Sequence, residues 1–258
     1  MSSTQQIRDQ FRTCGYVLLK NYLDTESLAT LRDCANKLES MPDKPGKIMK
    51  YYELSGCDGS QILNRVEQFS DSFTAVDALL TGGVISELVK LVAGITPSLF
   101  KEKINFKMPG GGGFNVHQDA PAFTRFIHDE LIVVMIPVDE TNHENGCLQV
   151  ADNFFENKII PHVGGTVEAA HLSAVTWRSI NMNPSDVLVF SSWLLHKSDK
   201  NTSSAPRRNY FVTYNDLQHG EMREEYFEFK RINFPPLVER EPGVDYQKWT
   251  SKLSKIIL

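Results

Sequence analysis

His117 and Asp119 stand two apart, separated by Gln118. In an extended strand, positions i and i+2 face the same way, so one imidazole and one carboxylate would project together toward a single ion. A third ligand has to come from elsewhere in the chain. Of the seven histidines, His196 fits best, because it follows the apolar strand-like run Asp186-Val-Leu-Val-Phe190. Two imidazoles and one carboxylate on one side of a metal leave its other positions open, which suits non-haem Fe(II) handling O2. No HExxH motif and no pair of histidines four apart occurs, so helix-borne zinc chemistry is unsupported. His-x-Asp by itself is a common chance pattern, and its context adds the weight. Ser198 follows His196 by two residues and Arg207 by eleven. A guanidinium holds a carboxylate through two parallel hydrogen bonds. An iron oxygenase that uses 2-oxoglutarate needs such an anchor for the far carboxylate of that co-substrate. Read alone, Arg207 is also a surface arginine beside Arg208.

These residues need elements to position them. The first third of the chain reads as mixed. Thr4 to Cys14 patterns as a helix closed by Gly15, and Tyr16 to Lys20 as a strand. Asp24 caps a second helix whose apolar face is Leu28, Leu31, Ala35 and Leu38. Strand patterns follow at 48–54 and 61–69, then helical ones at 72–80 and 85–92. From Phe100 onward, short strand-like runs (101–108, 131–137, 147–151, 174–181, 186–191 and 209–215) alternate with turn clusters. That spacing predicts a sandwich or barrel, and there is no βαβ rhythm that would predict a doubly wound sheet. A helical tail is expected over 221–231. The run Met108-Pro-Gly-Gly-Gly-Gly-Phe114 has neither the Gly-x-Gly-x-x-Gly spacing of a dinucleotide site nor the Lys-Ser/Thr of a phosphate loop, and reads as a strand connector. Lys103, Asn105 and Lys107 share one strand face by parity, and either line a pocket or stay on an exposed edge. Trp177 and Trp193 are aromatic candidates for the pocket mouth, although packing is the commoner fate of a tryptophan.

Taken together, Asn105 to Asp119, Glu144-Asn-Gly-Cys-Leu148, Asp186 to Phe190, His196-Lys-Ser198, Asn201 and Arg207 resemble the phytanoyl-CoA dioxygenase family of Fe(II)/2-oxoglutarate oxygenases, over about 16–215. The resemblance implies a mostly β fold, a double-stranded β-helix or cupin-like jelly roll with flanking N-terminal helices. It places the iron ligands at His117, Asp119 and His196 and 2-oxoglutarate contacts at Arg207 and Ser198. By looser alignment it adds Arg65, Lys103 and Met135 as co-substrate contacts. Asn105, Lys107 and Trp177 are expected near the substrate. Related halogenases carry a small residue where this chain has Asp119, so hydroxylation is the implied chemistry, with release of succinate and CO2. Fe(II), 2-oxoglutarate and O2 are the implied cofactor and co-substrates, with ascorbate as a supporting reductant.

The chain has 258 residues, read as one domain over 1–258, and its formal charge is −5. A mildly acidic chain without a basic run is a poor nucleic-acid binder, although net charge leaves room for a local basic pocket that takes an anion. The longest apolar run, Leu131 to Val138, is far short of the ~20 residues a membrane helix needs. The polar N-terminus and a C-terminus (Lys255 to Leu258) unlike a peroxisomal address point to the cytoplasm. Cys14, Cys34, Cys57 and Cys147 are scattered without metal or redox spacing and are expected as free thiols. The expected partner is a small molecule, and a small zwitterion such as an aminoalkylphosphonate is one form it takes. A non-catalytic metal-binding β module is the competing reading. The oligomeric state and the carbon oxidised are not legible in the sequence, nor is the choice among hydroxylation, desaturation and cyclisation.

Overall fold

The computed structural model describes residues 3–244 and residue 246, so Lys255 to Leu258 lie outside the described residues. Helix α1 (Thr4–Cys14) begins with a reciprocal Ser3–Gln6 capping box and ends on Gly15 in the left-handed region, φ +75°. Strand β1 (Tyr16–Leu19) leads to helix α2 (Thr25–Ser40), whose cap Asp24 accepts from the Ser27 amide at 2.8 Å. Strands β2 (Met49–Leu54) and β3 (Gln61–Glu67), helices α3 (Thr74–Thr81) and α4 (Val84–Ala93) and the long strand β4 (Pro97–Lys107) complete the first part. Then come β5 (Phe114–His117), β6 (Ile132–Pro137), β7 (Leu148–Ala151), β8 (His162–Val163), β9 (Thr166–Val167), β10 (Trp177–Ile180), β11 (Val187–Ser191), β12 (His196–Ser198), β13 (Arg207–Asp216) and helix α5 (Arg223–Asn233).

The strands form two antiparallel sheets plus the small β8–β9 ribbon. The major sheet has the order β1-β11-β6-β13-β4-β3-β2, and the minor sheet β10-β7-β12-β5. Alternation along the strands of the major sheet sends two sets of side chains in opposite directions. Val134, Ile136, Tyr210, Val212 and Ile104 pack against Leu31 and Leu38 of α2, Leu80 of α3 and Leu88 of α4. Val133, Met135, Phe190 and Phe211 pack against Leu148, Val150 and Ile180 of the minor sheet. Because β6 is covered on both faces, it is apolar throughout and shows no alternation. Helix α5 closes one end, where Tyr226 and Phe227 pack with Met49, Tyr51, Phe100 and Phe123. This is the expected mostly β jelly roll with N-terminal helices. Burying each such side chain contributes roughly 1.5–3 kcal/mol, so the two-sided packing of the major sheet dominates what holds the fold together.

One boundary moves. The strand expected from residue 174 begins at Trp177, because Ala169–His171 forms a 3-10 turn and the Val175 amide bonds back to the Leu172 carbonyl at 3.1 Å. All four cysteines are free. No helix among the described residues is long and apolar enough to cross a membrane.

Candidate active site

Strands β5 and β12 pair so that His117 and His196 are direct partners, and their ring centroids lie 4.1 Å apart. Each Nδ1 lies against the carbonyl two residues earlier. His117 meets Asn115 at 2.7 Å, and His196 meets Leu194 at 3.0 Å. That contact is satisfied by an Nδ1–H, which leaves the Nε2 lone pair of each ring available to a metal. His117, Asp119 and His196 each present one ligand atom within 4.8 Å of the others. Nε2 of His117 lies 3.9 Å from Oδ1 of Asp119.

The route by which Asp119 arrives differs from the expectation. The strand ends at His117, and Asp119 has helical backbone angles (φ −76°, ψ −34°) at the start of a 3-10 turn, Ala120–Ala122, containing Pro121. His117 and Asp119 therefore converge through a turn, not through strand alternation. Buried Gln118 pins this turn through its side-chain amide. Its amide donates to the carbonyls of Lys158 (3.0 Å) and Trp193, and its oxygen accepts from the Ile160 amide at 2.7 Å.

Burial, reinforced by the neighbouring His196 ring, lowers the His117 pKa to about 4, so its ring is neutral at neutral pH. Burial pushes Asp119 the other way. Interaction with His196, Lys103, His117 and Lys101 outweighs that and brings it to about 2.

Arg207 begins β13 and is 2% exposed. Its Nε has no hydrogen-bond partner, and among the described residues no carboxylate pairs with it. With the Asn209 amide oriented so that its nitrogen faces the Arg208 carbonyl, the Asn209 oxygen accepts from Nη1 of Arg207 at 3.1 Å. Burial lowers the Arg207 pKa to about 10, which still leaves a full positive charge at neutral pH. A buried, charged, incompletely bonded guanidinium is costly unless an anion joins it. Ser198 stands nearby on β12, and its hydroxyl accepts from Nζ of Lys107 at 2.8 Å. Gly113 lets these pieces close up, since a Cβ there would meet the Ser198 carbonyl at 2.6 Å.

All of this opens onto one cavity of about 590 Å3 between the sheets. His117, Asp119, His196, Ser198, Arg207, Arg65, Lys103 and Asn105 line it. Met135, Lys107 and Trp177 are not among its lining residues. Met135 is buried in the layer between the sheets with Leu148 and Phe211. Lys107 spends its ammonium on Ser198 and on the carbonyls of Gly146 and Asp199. Trp177 lies on the outer strand β10, with Nζ of Lys197 over its ring at 4.6 Å.

The family model for phytanoyl-CoA dioxygenase matches residues 11–209. The chain belongs to the phytanoyl-CoA dioxygenase family. Among curated members, a 2-aminoethylphosphonate dioxygenase from uncultured bacterium HF130_AEPn_1 is 42% identical over 94% of this chain and 93% of its own length. A methylphosphonate hydroxylase from Gimesia maris is 34% identical over 88% of this chain and 86% of its own. Among solved structures, EctD from S. alaskensis with 2-oxoglutarate and 5-hydroxyectoine has a TM-score of 0.67 at 19% identity, over 84% of this chain and 77% of that one. The α-ketoglutarate-dependent epimerase SnoN has a TM-score of 0.65 at 17% identity, over 83% of each chain. These two likenesses concern the fold alone. As a phytanoyl-CoA dioxygenase family member, the chain is an Fe(II)- and 2-oxoglutarate-dependent dioxygenase.

Sequence reasoning passed over Lys101, Glu67, Lys230 and Phe211, which also line the cavity of this family member. Lys101 carried a usable signal, because it shares the parity of Lys103 and Asn105 on β4. Lys230 carried none, since it comes from α5 and meets Glu67 of β3 only through the tertiary fold.

Proposed function

We propose that this protein is a hydroxylase of a small phosphonate, 2-aminoethylphosphonate or a close analogue, acting in the cytoplasm as a single domain. One observation carries the oxygenase part. Three metal-ligand atoms within 4.8 Å share a cavity with a buried guanidinium that lacks an anion. The phosphonate part is supported by the 42% and 34% identities to phosphonate-oxidising enzymes.

The donor set fits Fe(II). Nε2 of His117, an oxygen of Asp119 and Nε2 of His196 would hold it from one side and leave open positions toward the cavity. Bound there, iron supplies O2 activation coupled to decarboxylation of 2-oxoglutarate to succinate and CO2. The chain's own residues do the placing. Arg207 grips the far carboxylate of 2-oxoglutarate and gains the anion its burial requires. Ser198 accepts from Lys107, so its own hydroxyl proton is free to donate to that carboxylate. The Nδ1–H contacts to Asn115 and Leu194 fix the tautomer and aim of both imidazoles. Phe211, Leu148, Phe123 and Tyr226 give the cavity apolar walls that keep water from the reacting carbon.

The test is anaerobic loading with Fe(II), then O2, 2-oxoglutarate, ascorbate and 2-aminoethylphosphonate. Phosphonate-dependent succinate and a matching amount of hydroxylated phosphonate by phosphorus NMR are expected. Iron binding with no succinate would support the non-catalytic metal-binding module instead.

A further inference from the structure

The cavity that holds the metal-ligand cluster has a strongly basic lining among the described residues, in a chain whose net charge is −5. Seven Lys or Arg side chains line the cavity against two carboxylates, Glu67 and Asp119. Glu67 is already committed, 2.8 Å from Nε of Arg65 and also paired with Lys230. Asp119 belongs to the metal cluster. Lys101 and Lys103, two apart on β4, make no ion pair within 4 Å and no hydrogen bond among the described residues, although Glu67 and Asp119 both stand close enough to favour their charge. Nζ of Lys101 lies 4.6 Å from the Phe123 ring centroid, and Nζ of Lys103 lies 5.1 Å from that of Phe211. Lys101 is 7% exposed. Both ammonium groups are largely out of bulk water, and both are close enough to Asp119 to help hold it ionised. Burial lowers both lysines, Lys103 to about 8, as expected where a counter-anion has yet to arrive. The 2-oxoglutarate carboxylate has Arg207, four residues up the paired strand from Phe211. A second anion carrying more than one charge is what this wall lacks.

We propose that Lys101 and Lys103 together receive the substrate's phosphonate, and that this dianion subsite, not recognition of the amine, sets substrate choice. The inference rests on the phosphonate reading above. The phosphonate of 2-aminoethylphosphonate, its second ionisation eased by the nearby ammonium, carries more than one negative charge at neutral pH and several acceptor oxygens, which two ammonium groups satisfy together. The amine has no carboxylate left to meet in the cavity. The apolar lining it would meet includes the Phe126 ring, which attracts a cation only weakly.

The test uses the iron-loaded enzyme, at a pH where both phosphonates are dianions, with three compounds of equal length. 2-Aminoethylphosphonate has both groups, propylphosphonate lacks the amine, and taurine replaces the phosphonate with a singly charged sulfonate. In the wild type, KM from substrate-dependent succinate formation should rise less than about tenfold for propylphosphonate and about 100-fold or more for taurine. Lys101→Met and Lys103→Met should each raise the 2-aminoethylphosphonate KM by about 10- to 100-fold, with the 2-oxoglutarate KM moving far less. Anaerobic calorimetry with the same phosphonate should show the same loss, free of any effect on turnover. Lys101→Gln, with its thermal midpoint, provides a second variant should Met fail to fold. Taurine matching the phosphonate overturns the subsite, as do unchanged phosphonate affinities in the variants. So does a Lys103 effect confined to the 2-oxoglutarate KM. In each of those cases the phosphonate hydroxylase reading survives. If no phosphonate stimulates succinate formation by an enzyme that turns over 2-oxoglutarate, both readings fail together.

Discussion

Arg207 and Arg208 are neighbours on β13 and point to opposite sides of the major sheet. Arg207 faces the cavity, buried and without a carboxylate. Arg208 faces the helices, where it holds Asp139 at 2.8 and 2.9 Å and reaches Glu39 at 3.1 Å and Asn36 at 2.8 Å. The doublet therefore divides two tasks between two faces, as strand alternation requires. Arg207→Ala is expected to weaken 2-oxoglutarate binding by about 100-fold or more, from a loss of roughly 3 kcal/mol. Iron binding should survive, and Lys at 207 should restore only part of the affinity. Arg208→Ala should leave the 2-oxoglutarate KM nearly unchanged and lower stability by about 1–2 kcal/mol. Titration of 2-oxoglutarate and denaturant melts separate the two, and a large KM effect at Arg208 would move the register by one.

The metal cluster predicts three equivalent losses. His117→Ala, Asp119→Ala and His196→Ala should each lose stoichiometric Fe(II), read by metal analysis after desalting, together with succinate formation. Asp119→Gly should lose hydroxylation without gaining halogenation. Wild-type hydroxylation in Asp119→Gly would mean that another carboxylate is the ligand.

Apo-protein stability should fall with acid in a definite window. His117 is lowered from the usual histidine range to about 4, so between roughly pH 6.5 and 4 the unfolded chain binds a proton that the folded chain refuses. Stability attributable to this residue is fully present above pH 6.5 and is lost as pH falls toward 4. Asp119, held at about 2, acts in the same direction lower down, between its usual range near 4 and its folded value. A lowering from 6.5 to about 4 makes the expected contribution of His117 on the order of 3 kcal/mol. Thermal midpoints against pH in the metal-free protein should show a shallower slope between pH 6.5 and 4 in His117→Gln. An unchanged slope would place the proton elsewhere.

Gln118 should behave as a positioning residue. Removing its amide strands the carbonyls of Lys158 and Trp193 and the amide of Ile160. Gln118→Ala is expected to cost about 1–3 kcal/mol of stability and also to weaken Fe(II) binding, because the turn that carries Asp119 loosens. Gln118→Glu keeps an acceptor for the Ile160 amide but loses the two donations, so it should recover only part of both. A variant that melts earlier yet binds iron normally would show that Asp119 is held by Ala120 and Pro121 alone.

Much of the frame was legible because its causes are local. Ser3, Gly15 and Asp24 mark helix ends through capping chemistry, and α1 and α2 begin and end where those residues say. The long apolar strands announce themselves by composition. The two strands that carry the histidines do not. β5 has four residues and β12 three, too short for a period of two to register against background. His117, Asp119 and His196 were found by residue type and spacing. That Asp119 reaches the cluster by a turn was invisible, because the turn depends on Gln118 bonding to residues forty and seventy-five positions away.

By itself the sequence singled out the candidate ligand types and a sandwich or barrel with helices, which follow from side-chain chemistry, parity and capping. The jelly-roll class and the choice of Arg207 over Arg208 came from the resemblance of the assembled motifs to a family. Only the tertiary structure decided which polar residues share a cavity. It drew Lys107 off to Ser198, Gly146 and Asp199, sent Trp177 to an outer strand, and brought Lys101, Lys103, Glu67 and Lys230 together from two strands and the distant helix α5. The reason is that a cavity wall is set by sheet register and by what packs across it. Register links residues such as Lys103 and Phe211 that are over a hundred positions apart, where no local pattern reaches.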